Sequence, residues 1–183
     1  MDESVWLKGA RRCPSPNFNQ RPQGANVSLL VIHNISLPPG EYGTGDIEAF
    51  FCNQLDWDKH PFYQEIKGVE VSSHLLITRT GEVVQFVPLN ERAWHAGKSV
   101  FKGVENCNDF SIGIELEGTD TDPYSDAQYR VLAEVSRELM RQYPALCADN
   151  IAGHDAIAPG RKTDPGPAFD WARYRKSLEE NAG

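Results

Sequence analysis

Residues 28–33 read SLLVIH, four consecutive aliphatic side chains running into a histidine. A strand built from such a run has no polar face and must be covered on both sides. It therefore belongs inside a sheet with other layers packed above and below it. Residues 110–118 (FSIGIELEG) alternate instead, with Ile112, Ile114 and Leu116 pointing one way and Ser111, Gly113, Glu115 and Glu117 the other.

Between these strands lie helical patterns. Residues 44–55 place Ile47, Phe50, Phe51 and Leu55 at helical spacing, with Asp46 as the expected N-cap. Residues 71–78 and 82–87 form a predicted β-hairpin turning at Gly81. A long helix follows Ser125, whose partner Gln128 completes a capping box. Leu132, Val135, Leu139 and Tyr143 stripe that helix, and Pro144 ends it. The last helix starts near Asp170, with Phe169 and Tyr174 spaced as a hydrophobic staple and Trp171, Tyr174 and Leu178 facing the core. The alternation predicts an α/β fold: a single domain over residues 1–183 with a central mixed β-sheet of about four to six strands flanked by α-helices.

Charge narrows the partners. Eighteen Lys+Arg against 26 Asp+Glu give a net charge of −8. No basic run offsets this, so nucleic acid and anionic membrane surfaces are not expected partners. The longest aliphatic run, residues 29–32, is far short of a membrane span, and residues 1–12 lack the apolar stretch of a secretory signal. Cys13, Cys52, Cys107 and Cys147 show no C-x-x-C pairing and read as free thiols. A cytoplasmic monomer is the expectation.

Of five histidines, context favours two. His33 ends the buried strand at a loop, and His154 stands at a loop edge in the segment AGHD. Asp164 follows ten residues later. Two imidazoles and one carboxylate leave a tetrahedral metal ion a free position, the arrangement of a catalytic zinc site. Spacing alone leaves Asp164 open between ligand and turn residue before Pro165. Glu115 is a candidate general base, but Glu117 shares its parity on the strand, and alternation does not choose between them. Gly113 beside Glu115 would leave room for a ligand. Lys162, two residues before Asp164, could stabilise an oxyanion or simply be a solvated lysine. Trp94 and His95 could wall a ligand site or pack in the core. His74 has at most a supporting role, and His60 reads as structural or exposed.

Together VIHNISLPPGEYG, RAWHAG, CNDFSIGIELEGTD and GHDAIAPGRKTDPGPAFDW resemble the cytoplasmic 1,6-anhydro-N-acetylmuramoyl-L-alanine amidases of bacteria. That family belongs to the zinc amidase branch sharing the peptidoglycan recognition protein fold, and the likeness runs from about Trp6 to Tyr174. The resemblance implies one Zn2+ held by His33, His154 and Asp164, with Glu115 activating water and Lys162 stabilising the tetrahedral intermediate. It adds Asn34 and Trp94 as substrate contacts. It also implies hydrolysis of the amide joining anhydro-N-acetylmuramic acid to L-alanine, in cell-wall recycling, with a consequent effect on β-lactamase induction.

Two positions depart from the family: Glu70 and Asn106 stand where arginines serving the peptide carboxylates are expected. Attraction for an anionic muropeptide must then come from the metal, Lys162, Arg161 and Arg92. Three rival readings remain: a non-catalytic muropeptide-binding module of the same fold, a sugar deacetylase using the same metal site, and a secreted autolysin.

Overall fold

A computed structural model describes residues 5–180. In chain order its elements are β1 (Arg11–Arg12), β2 (Phe18–Asn19), β3 (Leu29–Ile35), α1 (Asp46–Phe51), β4 (Leu75–Ile77), β5 (Val83–Gln85) and β6 (Arg92–Ala93). There follow β7 (Val100–Phe101), β8 (Val104–Glu105), β9 (Ser111–Glu117), α2 (Asp126–Gln142), β10 (Ile151–Gly153), α3 (His154–Ile157) and α4 (Trp171–Glu179). Six strands make the main sheet in the order β1-β5-β4-β9-β3-β10. β9 runs parallel to both neighbours, β3 and β4, and β10 runs parallel to β3. The β4–β5 hairpin supplies the antiparallel pair that makes the sheet mixed.

Both faces are covered, as the aliphatic run requires. Leu30 and Ile32 of β3, with Ile112 and Ile114 of β9, pack on Leu132 and Leu139 of α2 and on Tyr174 and Leu178 of α4. On the opposite face Leu29 and Val31 meet Ala96, Ala152 and Ile157. Beside them Leu76 and Val84 meet Ile47, Phe50 and Phe51 of α1. On the second face His33 of β3 and Glu115 and Glu117 of β9 also point.

The helix signals hold at α2 and α4. Ser125 Oγ accepts from the Gln128 amide at 3.1 Å, and Gln128 Oε1 accepts from the Ser125 amide at 3.0 Å. Asp170 accepts from the Arg173 amide at 2.9 Å, and the rings of Phe169 and Tyr174 lie 5.7 Å apart. The predicted hairpin forms with shorter strands, and Gly81 supplies φ +88° at its turn, a value other residues rarely adopt.

The first helix departs from expectation. It stops at Phe51, and its N-cap is Gly45 at φ +80°, not Asp46. Asp46 is instead a buried acceptor for Lys59 Nζ at 2.6 Å and Tyr63 Oη at 2.7 Å. Burial pushes its carboxyl up, but those two donors outweigh burial and hold it below the usual range. A charged donor and a hydroxyl bind a carboxylate more strongly than a backbone amide, so the tertiary partners win. Among the described residues no helix is long and apolar enough to cross a membrane.

Candidate metal centre and cavity

Three parallel strands deliver side chains to one rim. β3 and β9 pair with His33 opposite Glu115, on the face turned away from α2 and α4. β10 ends at Gly153, opposite Ile32, so His154 leaves the sheet beside His33. Ligands of open α/β sheets gather at such carboxyl ends. Asp164 arrives on the loop after α3, where its carbonyl accepts from the Asp155 amide at 3.0 Å.

Nδ1 of His33 and Nδ1 of His154 are 3.0 Å apart. Asp164 Oδ2 lies 3.1 Å from the first and 3.3 Å from the second. One ligand atom from each of the three residues lies within 4.8 Å of the others. The donor set tests whether a cation fits. His154 Nε2 donates to the Ala96 carbonyl at 3.0 Å, so Nδ1 is the ring nitrogen that faces Asp164. Burial holds His33 below its ordinary value, with Asp164 opposing. Asp164 is also pushed up by burial, yet hydrogen bonds to His154 and His33 outweigh that and keep it well below the carboxylate range. A carboxylate and two imidazole nitrogens converging on one point are a donor set that a borderline-soft divalent ion satisfies.

Glu115 and Glu117 separate here. Glu117 is used by the backbone: its oxygens accept from the Gly43 amide at 2.5 Å and the Arg79 amide at 3.1 Å. Glu115 Oε1 lies 4.0 Å from His33 Nδ1, while its Oε2 is buried with no hydrogen-bond partner. Burial, reinforced by the charge of Asp164 and opposed by Lys162, raises Glu115 well above an ordinary carboxylate. An unpaired buried carboxyl oxygen is costly, and a neighbouring cation or water offsets that cost.

The donors lie at the floor of a cavity of about 850 Å³. One wall is apolar, with Leu37, Phe50, Phe51, Phe62, Ile66 and Val71. The other carries Asn34, Thr119, Asp120, Lys162 and Thr163, and Trp94 also lines the cavity. Asn34 Nδ2 is fixed by Asp120 Oδ1 at 2.7 Å and the Pro165 carbonyl at 3.2 Å. Trp94 Nε1 donates to Asn19 at 2.8 Å, which sets its ring.

Several expectations change. The room above Gly113 is taken, because a Cβ there would lie 2.6 Å from the His95 ring. Arg92 is held by Asp109 at 2.7 Å and does not line the cavity, whereas Arg161 does. Neither Glu70 nor Asn106 lines it. His74 bridges the Gly113 amide and the Glu91 carbonyl, and His60 accepts from the Phe62 amide, so both are structural. Asp120, which accepts from Asn34 and Thr163, carried no sequence signal beyond its place in the GTD turn.

The family model for N-acetylmuramoyl-L-alanine amidase matches residues 23–167. The chain belongs to the N-acetylmuramoyl-L-alanine amidase family. Within this amidase family, the 1,6-anhydro-N-acetylmuramyl-L-alanine amidase AmpD of Salmonella typhimurium SL1344 is 61% identical over 96% of the chain and 93% of that protein. The Escherichia coli K12 AmpD is 60% identical, covering 94% of each. A crystal structure of a selenomethionine AmpD derivative superposes with a TM-score of 0.93 at 57% identity, covering 97% of this chain and 98% of that one. The amidase fold is thus shared along nearly the whole chain.

Proposed function

We propose that this amidase is a zinc hydrolase that cleaves the amide between the lactyl group of anhydro-N-acetylmuramic acid and L-alanine. It would act on muropeptides recovered from the cell wall, as a cytoplasmic monomer whose single domain spans residues 1–183. Its relatives' names support the substrate, since AmpD proteins are named for this bond. A related amidase, AmiD of Escherichia coli, is known in complex with anhydro-N-acetylmuramic acid-L-Ala-D-γ-Glu-L-Lys; this chain covers 60% of it at 30% identity, with a TM-score of 0.61. The observation that carries the reading is the unpaired, buried Glu115 Oε2 beside the convergent donors of His33, His154 and Asp164.

In this reading His33, His154 and Asp164 hold the zinc. When bound, the ion supplies Lewis acidity at the scissile carbonyl and toward water at neutral pH. Glu115 takes a proton from the attacking water, and the same carboxyl returns a proton to the leaving nitrogen. The C–N bond breaks, hydroxide oxygen ends on the lactyl carbonyl carbon, and the peptide departs with a free amine. Lys162, whose charge acts on both Glu115 and His33, stabilises the oxygen that becomes negative. Asn34 and Trp94 contact substrate from fixed positions, and the apolar wall covers the sugar face. Removing the muropeptide would lower the signal that induces β-lactamase.

Incubation with anhydromuropeptide, followed by product analysis, tests this. A new L-alanine amine on the peptide is expected, with no acetate. Acetate release would make the protein a deacetylase, and intact ligand recovered from a tight complex would make it a binding module.

A further inference from the structure

Both ring nitrogens of His95 are engaged. Nδ1 lies 2.9 Å from His33 Nε2, and Nε2 lies 2.9 Å from Ser111 Oγ. The next residue, Ala96, offers its carbonyl to His154 Nε2 at 3.0 Å. One short segment thus meets the rear nitrogens of both histidines whose Nδ1 atoms face Asp164. That segment is itself fixed. Asn108 Oδ1 accepts from the His95 amide at 3.1 Å and the Ala96 amide at 2.8 Å, while Arg161 donates to the Ala96 carbonyl at 2.5 Å. Gly113 completes the arrangement by leaving the space the His95 ring fills.

An imidazole that gives its Nδ1 lone pair to a metal carries its proton on Nε2. For His154 a carbonyl, which only accepts, sets that tautomer. For His33 the matching partner is a ring nitrogen. We propose that His95 is a positioning residue of the metal centre. It accepts the His33 Nε2 proton at Nδ1, donates its own Nε2 proton to Ser111 Oγ, and so holds the His33 Nδ1 lone pair on the ion. The inference rests on the zinc reading above. It also explains why a half-buried histidine lining the cavity stands over a glycine and not an aliphatic residue of similar size.

The test is zinc affinity, measured by competition with a chromophoric chelator on wild type, His95→Leu, His95→Asn and Ser111→Ala, together with the melting temperature of each apoprotein. Partners of this kind are worth about 10–100-fold in metal affinity. His95→Leu is expected to lose about that much. His95→Asn, whose Oδ1 can take the place of Nδ1, should recover most of it, and Ser111→Ala should lose several-fold. A purely structural role predicts lower apoprotein melting with unchanged affinity in the folded protein, and that result overturns the proposal. If His95→Leu does not fold, Ser111→Ala decides, and wild-type affinity there overturns it equally. Zinc bound alike by wild type and His95→Leu removes this inference alone, whereas no zinc binding by wild type removes the metal reading with it.

Discussion

Glu115 and Glu117 sit two positions apart on one strand, share a face, and differ in what meets them. Backbone amides of Gly43 and Arg79 satisfy Glu117, while Glu115 keeps a buried oxygen unpaired next to His33. Glu115→Ala should therefore retain zinc and lose turnover by about 10²-fold or more, the scale of a missing acid–base group. Metal content and kcat on one preparation check this, and full activity with full zinc would contradict it. The strand position of both carboxylates is readable from alternation, but the loops that claim one of them are not. The donors themselves are 121 and 131 residues from His33, so no local spacing links them. What the sequence shows is that His33 ends a buried strand. That its ring meets His95 over Gly113 depends on packing between distant segments, and the bare glycine alone reads as empty space.

Elements with long stripes and side-chain caps are the legible ones. α2 combines a capping box with apolar positions that face the sheet, and α4 joins an Asp170 cap to a Phe169–Tyr174 staple. Ser125 does two things, since its hydroxyl caps α2 and also donates to the Arg79 carbonyl of the hairpin turn at 2.7 Å. Ser125→Ala is expected to destabilise by about 1–2 kcal/mol, the upper range for a lost cap, measured as a lower urea midpoint. An unchanged midpoint would show that the cap adds nothing here. α1 is less legible because six residues give little stripe and because Lys59 and Tyr63, beyond the helix, take the carboxylate that a cap would use. β1, β2 and β6 have two residues each, too few for any period to show, and they exist because neighbouring strands pair with them.

At the scale of the molecule, a charge of −8 works against an anionic muropeptide, and Arg161 and Lys162 beside the cavity supply the local opposite sign. Burial also sets the acid limb of stability. His74 is pushed down from 6.5 to about 3 by burial and by the nearby Arg21 charge. The unfolded chain therefore binds more protons below about pH 6.5, and stability falls as pH drops from there toward 3. His74 contributes up to about 1.4 kcal/mol per pH unit in that window. Urea unfolding should show the fall already between about pH 6.5 and 5, above the range where ordinary carboxylates titrate; a flat profile there would remove His74 as a contributor. The most direct measurement is peptide release from anhydromuropeptide by wild type and His33→Ala, each as prepared, after chelation, and after zinc is restored. Release by wild type that stops on chelation and returns with zinc, with none from His33→Ala, is the predicted result. Undiminished release after the metal is gone would contradict the account.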